Sequence, residues 1–174
     1  MNSIIDNFIA ASVITSQALI VLCLLGLLLR KRYPDLQFVK LLSKNGFALA
    51  FLVALGSAIG SLYYSEIRGF EPCFLCWFQR IAMYPLVVLL GFALLRKEYF
   101  IKFYALVFAI VGLIISAYQL ALPFLGDTFA PCSALAVSCA KIYVFYLGYI
   151  TIPLMGFSAF ALIILALLLW KKAE

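Results

Sequence analysis

The chain has 174 residues, of which 67% are hydrophobic and 11% are charged, less than half of the roughly 25% charge of soluble domains. A soluble domain of this size cannot bury so much apolar surface, so the composition excludes soluble and disordered proteins and predicts an integral membrane protein. The net charge is +6, but no basic run resembles a nucleic-acid-binding face, and no nucleic-acid partner is expected. The chain has no His, so Cys, carboxylate, Arg and Tyr side chains must carry any chemistry.

Five apolar stretches are long enough to cross a lipid bilayer as helices. None alternates with the period of two that β-barrel strands show, so we predict an all-α, polytopic transmembrane helical bundle with a single membrane domain, 1–174. The stretches cover residues 7–29, 45–65, 72–95, 103–126 and 142–170, and the third alone contains a charge, Arg80.

The positions of the basic residues predict the orientation in the membrane. Basic residues follow the first stretch at 30–32 instead of preceding it, which argues against a cleaved signal peptide. With the N-terminus outside and the C-terminus inside, 10 of the 13 basic residues lie on the inner side, as membrane proteins prefer. The inner segments are then 30–44, 96–102 and 171–174, and the external loops are about 66–72 and 127–141.

The first cysteine pair has the spacing of a redox-active motif. Cys73 and Cys76 are three residues apart at the start of the third stretch, where Pro72 suits the first position of a helix. The partial positive charge of a helix N-terminus favours a thiolate. Arg80 lies one turn further along the same face, where a guanidinium can stabilise a thiolate or a reduced quinone oxygen.

A second pair, Cys132 and Cys139, lies in the second external loop. In this orientation four of the five cysteines share one side, the oxidising side of a bacterial-type membrane. Two disulfides on one side can exchange electrons through a mixed disulfide. Cys23 lies inside the first stretch, far from the other cysteines, and we expect it to be a small buried hydrophobic residue.

Each of these features also has a simpler interpretation. The CxxC motif could be a structural disulfide or half of a zinc site, although the loop pair has a poor spacing for the other half. The loop pair could be a static staple, and Arg80 could extend to the lipid headgroups. The GxxxG run at 56–60 is expected to pack helices. Gln119 could bond either a ligand carbonyl or a neighbouring helix.

The third stretch also carries a recognisable signature. The run Pro72-Cys73-Phe74-Leu75-Cys76-Trp77-Phe78-Gln79-Arg80-Ile81 resembles that of the DsbB family of disulfide-bond formation proteins. It is closest to the BdbC-like branch, with its Pro-Cys-x-x-Cys-Trp-x-Gln-Arg pattern. The loop pair and the run from Tyr146 to Pro153 resemble the same branch, so that the resemblance covers about residues 45–170.

The resemblance implies both an architecture and an activity. It implies a four-helix core, residues 45–170. The first span, residues 7–29, is extra to that core and departs from the family pattern. The resemblance also implies an enzyme of the bacterial cytoplasmic membrane that reoxidises an extracytoplasmic thioredoxin-fold (DsbA-like) oxidase. Two electrons would pass to a membrane quinone, ubiquinone or menaquinone, without a metal.

The same resemblance assigns roles to individual residues. All four external cysteines would be catalytic. A Cys73–Cys76 disulfide would lie beside the quinone, and a Cys132–Cys139 disulfide would meet the partner. The residues expected to bind the quinone are Cys76, Trp77, Gln79 and Arg80.

Other functions stay open at this point. A non-catalytic membrane subunit could use the two disulfides to brace its external loops. A vitamin-K-epoxide-reductase-like enzyme would follow a similar logic, although there the CxxC tends to follow the loop pair and here it precedes it. A thiol conduit to an external reductase usually needs a cysteine reachable from the cytoplasm, and Cys23 has no partner for that task.

Overall fold

The computed structural model describes residues 3–29, 37–125, 139 and 143–170. Within these ranges the chain forms no strand and five long helices, all of them long and apolar enough to cross a membrane. The predicted all-α class with five spans is therefore confirmed. Cys132 and the basic residues at 30–32 and 171–172 lie outside the described residues. The helices are α1 (Ser3–Leu29), α2 (Gln37–Leu62), α3 (Phe74–Arg96), α4 (Lys102–Leu125) and α5 (Ile152–Leu169).

Helices α2 to α5 form a closed ring of four, in which each helix packs on the next and α5 packs back on α2. Helix α1 lies outside this ring, mainly against α5. The centre of the ring is filled by large apolar side chains such as Phe47, Leu86, Leu90, Phe160 and Ile163. The four-helix bundle with one additional N-terminal helix is thus confirmed.

Glycines bring helices close together at positions other than the GxxxG run. A Cβ at Gly46 would collide with the backbone oxygen of Ala166, and one at Gly112 would collide with the ring of Phe160. A Cβ at Gly56 or Gly60 would meet nothing within 4 Å. The prediction that the GxxxG run packs helices is therefore wrong, because its face of α2 borders open space.

Helix α3 begins later than predicted. Cys73 has an extended backbone (φ −69°, ψ 169°) and is the N-cap residue, so Pro72 precedes the helix and does not occupy its first position. The Cys73 sulfur accepts a hydrogen bond from the backbone N–H of Cys76 at 3.4 Å. This sulfur thus takes the role that a Ser, Thr or Asp oxygen has at most helix starts.

Helix α5 begins ten residues later than the predicted start of the fifth stretch. A tight turn precedes it, closed by two backbone hydrogen bonds of 2.9 and 3.0 Å between Tyr146 and Ile150. Leu147 and Gly148 have positive φ angles, 52° and 77°, which a helix does not allow. Thr151 then caps the helix by accepting from the backbone N–H of Leu154. The apolar composition of this segment conceals the turn.

Helix α2 continues into one π-helical turn, Tyr63–Ile67. The turn ends where Arg68 N donates to Tyr63 O at 3.0 Å, and Gly69 follows with φ +65°. Single π-helical turns occur frequently at functional sites. Here the turn directs Tyr63 and Tyr64 into the protein, where they pack in one buried cluster with Val144.

Candidate active site

The two thiols of the CxxC motif are in direct contact at the N-terminus of α3. Their Sγ atoms lie 2.8 Å apart, and Cys73 is only 4% exposed. Their mutual hydrogen bond, and then burial, raise the pKa of the Cys73 thiol. Close contact of two sulfurs is the arrangement that a reversible disulfide needs.

Gln119 of α4 connects the thiols to the neighbouring helix. Its Nε2 lies 3.2 Å from the Cys73 sulfur and 3.5 Å from the Cys76 sulfur, and its Oε1 accepts from Gln79 Nε2 at 2.7 Å. The helix–helix hydrogen bond considered for Gln119 is therefore present between α3 and α4. The same amide also donates to both sulfurs and fixes their position.

Arg80 is a buried cation one turn below the thiols. Its Nε and Nη2 donate to the side-chain oxygen and the carbonyl of Ser61, each at 2.9 Å, and its guanidinium lies 5.3 Å from the centre of the Trp77 ring. Arg80 is only 8% exposed, so it does not extend to a headgroup region. Ser61 uses two of the five guanidinium N–H groups, and no described carboxylate forms an ion pair with Arg80. Among the described residues, Arg80 is thus a buried positive charge that forms no salt bridge.

Cys139, which follows α4 in the chain, lies beside the CxxC motif. It is 3% exposed and packs in one buried cluster with Cys73, Leu75 and Leu122. Its carbonyl lies 3.5 Å from Gln119 Nε2. One member of the predicted loop pair is thus adjacent to the CxxC motif. Because Cys132 lies outside the described residues, the Cys132–Cys139 disulfide stays a prediction.

A cavity of about 940 Å³ opens beside the thiols. It is bordered by Cys76 and Arg80 of α3, by Gln119 of α4, and by Gly56 and Gly60 of α2. The two glycines leave room that any larger side chain would fill. The volume lies near the upper end of the range for ligand pockets, about 300–1,000 Å³. The cavity is thus an apolar space with a thiol pair and a cation at its border.

Comparison with protein families identifies this arrangement. The family model described as "Disulfide bond formation protein DsbB" matches residues 43–170, which include α3, α4, α5 and all of α2 except its first six residues. The chain belongs to the DsbB family. With five helices able to cross a membrane, it is a multi-pass membrane protein of a family of disulfide-forming oxidoreductases.

Curated relatives agree with this assignment. The chain is 44% identical to "Disulfide bond formation protein C" of Bacillus subtilis over 126 residues, which cover 70% of this chain and 89% of that protein. It is 42% identical over 123 residues to "Probable disulfide formation protein C" of Halalkalibacterium halodurans, covering 69% and 88%. It is 38% identical over 133 residues to "Probable disulfide formation protein" of Chlamydia caviae, covering 75% and 95%. No solved structure matches the chain.

Some residues of the DsbB-like signature border the cavity and others do not. Cys76, Gln79 and Arg80 border the cavity. Trp77 does not, because its ring is 53% exposed and contacts the Arg80 guanidinium from the outer side. In the described ranges no group of three or more Cys, Asp or Glu side chains is placed to hold a metal ion.

Two parts of the site were not found from the sequence. Ser61 holds Arg80 across 19 positions of the chain, and no local pattern signals that contact. Helix α1 contributes one wall of the cavity, although α1 lies outside the DsbB match. Cys23, in contrast, is fully buried as predicted and packs against α5.

Proposed function

We propose that this DsbB-family protein is a protein dithiol:quinone oxidoreductase. It reoxidises an extracytoplasmic thioredoxin-fold (DsbA-like) oxidase and passes two electrons to a membrane quinone. The observation that carries this proposal is the buried Arg80 guanidinium, which lies near Cys76 at a cavity of about 940 Å³ and forms no salt bridge with the described residues. A structural disulfide would need neither the cation nor the cavity.

The residues around the cavity fit a quinone. A quinone has a flat apolar ring, an apolar tail and two oxygens that become more negative on reduction. The apolar lining and the space at Gly56 and Gly60 suit the ring, and the guanidinium N–H groups not used by Ser61 suit an oxygen. When bound, the quinone would be the acceptor of two electrons and two protons, which convert it to a quinol.

The four external cysteines account for the electrons that reach this site. A partner thiolate attacks Cys132 in the Cys132–Cys139 disulfide and releases the Cys139 thiolate. The partner's second thiol then displaces Cys132, so the partner gains a disulfide and the loop gains two thiols. Cys139 next attacks Cys73 and releases Cys76, and Cys132 closes the loop disulfide again. Two electrons and two protons have then moved to the Cys73–Cys76 pair.

Several contacts support this direction of transfer. Cys139 packs beside Cys73, the sulfur that it must attack. Arg80 stabilises the negative charge of a Cys76 thiolate, and it also stabilises charge that develops on a nearby oxygen in a low-dielectric site. Gln119 holds both sulfurs through its amide N–H groups. These side chains bind, orient and carry charge, so the chain itself needs no metal.

The quinone content of the purified protein tests the proposal. Protein purified in a mild detergent is expected to contain bound quinone, up to one molecule per protein. Organic extraction followed by chromatography measures this amount. Added short-chain quinone should replace this molecule. A preparation with intact loop disulfides that neither contains nor binds quinone would be evidence for the non-catalytic subunit.

The orientation with the N-terminus outside is part of the proposal, and thiol labelling checks it. A variant that retains Cys132 alone should react in intact cells with a membrane-impermeant maleimide. A variant that retains only Cys23, buried between α1 and α5, is the matched control and should stay unlabelled. Labelling of Cys132 only after the membrane is opened would show that the orientation is the reverse of the one proposed.

The order of the loop cysteines predicts a trapped complex. In a Cys139→Ser variant, the Cys132 thiol should attack the disulfide of the oxidised partner. Cys139 is then absent and cannot release the partner, so the mixed disulfide is lost only by reversal through the partner's own second thiol. Non-reducing electrophoresis should therefore show a partner adduct that disappears on reduction. A Cys132→Ser variant should accumulate much less of it. If instead Cys132→Ser accumulates the adduct and Cys139→Ser does not, Cys139 is the cysteine that bonds to the partner.

A further inference from the structure

One face of α1 borders the cavity that holds the thiols and Arg80. The residues of this face follow the three- and four-residue spacing of a single helical stripe. They lie in the half of α1 nearer the N-terminus and are Ile5, Phe8, Ile9, Ser12, Val13 and Ser16. The extra helix therefore contributes to the site although it lies outside residues 43–170, the range of the DsbB match.

The rest of α1 is fixed to the bundle. Cys23 is fully buried against Leu162 and Leu169 of α5. Gln17 Oε1 accepts a hydrogen bond of 3.0 Å from the Tyr149 hydroxyl, and Ile9 packs on the cluster around Tyr63. Contacts thus hold α1 on both sides of Ser12 and Val13. The helix cannot move far from the cavity without breaking them.

Small residues of the ring explain why α1 is needed there. Gly56 and Gly60 of α2, together with Gly156 and Ala159 of α5, border the cavity. A Cβ at Gly156 would meet Gln79 Oε1 at 2.8 Å, so this glycine is closely packed on α3. A Cβ at Gly56 or Gly60 would meet nothing within 4 Å, which leaves space beside α2, a helix on which α1 also packs. Without α1, that space would open toward lipid. The large side chains that would otherwise close it are absent.

We propose that α1 is a wall of the quinone site and retains the quinone near Cys76 and Arg80. This proposal rests on the proposed quinone reductase function and assigns a role to a helix that the family match does not include. Its Ile, Phe and Val side chains contribute apolar contact and shape, and the hydroxyls of Ser12 and Ser16 donate to carbonyls of their own helix. The helix therefore sets the affinity for the quinone and leaves the thiol exchange steps unchanged.

Two adjacent positions on α1 provide a matched test. Both Ala11 and Ser12 are exposed, but only Ser12 borders the cavity. A Ser12→Phe substitution places a ring in the space for the quinone, and Ala11→Phe places the same ring on the outer surface. For Ser12→Phe we expect the bound quinone to fall and the KM for a short-chain quinone to rise about tenfold or more. Formation of the partner disulfide by the loop pair in a single turnover should not change.

The outcomes separate the two proposals. Equal quinone content and equal KM in Ser12→Phe, Ala11→Phe and the parent protein would overturn the role of α1 and leave the function standing. A parent protein that neither binds nor reduces quinone would overturn the function itself. If Ser12→Phe is poorly folded, Ser16→Phe at the next turn gives the same comparison, and thermal unfolding reports the stability of each variant.

Discussion

Replacing Cys76 with serine is expected to abolish quinone reduction. The Cys76 sulfur lies 2.8 Å from that of Cys73 and borders the cavity that Arg80 also borders. Without it, no disulfide can form at the N-terminus of α3, and no pair of thiols remains to deliver two electrons there. The steady-state rate of quinone reduction with a reduced thioredoxin-fold partner, followed by absorbance, measures this loss.

A second cysteine provides the control for that substitution. Cys23→Ser makes the same chemical change at a fully buried site between α1 and α5. Turnover should be retained in Cys23→Ser, with at most a modest loss of thermal stability from the buried hydroxyl. The Cys76→Ser protein should still oxidise one equivalent of partner through its loop disulfide. Undiminished turnover in Cys76→Ser would remove the CxxC motif from the electron path.

Replacing Arg80 with alanine is expected to lower the catalytic efficiency toward quinone by about one to two decades. The loss of one charge-assisted hydrogen bond costs about 1.5–3 kcal/mol, and each 1.4 kcal/mol is a factor of ten. The guanidinium is buried and has no counter-ion among the described residues, so its charge is weakly screened. The rate of exchange between the loop pair and the partner should change little.

Two further arginine variants make this test specific. Arg80→Lys keeps the charge but cannot reproduce both bonds to Ser61, so only partial recovery is expected. Arg96→Ala removes the same kind of side chain from the last turn of α3, at the opposite end of the helix from the thiols, and should have normal kinetics. An Arg80→Ala protein with unchanged KM and turnover would show that Arg80 is a structural residue only.

The sequence alone predicts most of the fold, because bilayer thickness limits what an apolar run of helical length can form. The largest departure is the start of α5, where hydrophobic residues continue through a turn. Positive φ at Leu147 and Gly148 and the cap at Thr151 interrupt the helix there. Average hydrophobicity does not detect a break that contains no charged residue.

The site divides into a local part and a tertiary part. Cys73, Cys76 and Arg80 lie within eight consecutive residues, so their proximity follows from helix geometry once α3 is recognised. The contacts of Gln119 and Ser61 join different helices and depend on how those helices are rotated. Gly56 and Gly60 illustrate the same limit, since a GxxxG pattern does not say whether its face meets a helix or a cavity.

The central claim is that electrons from a dithiol partner leave this protein through Cys73 and Cys76 to a quinone. The most direct measurement is an anaerobic reaction of the purified protein with a reduced DsbA-like oxidase and a short-chain quinone. Absorbance counts the quinol formed, and thiol alkylation counts the partner disulfides. We predict one quinol for each partner disulfide, over many turnovers. The account would be contradicted if neither this partner nor dithiothreitol supports quinol formation, or if partner disulfides form beyond one turnover without quinol.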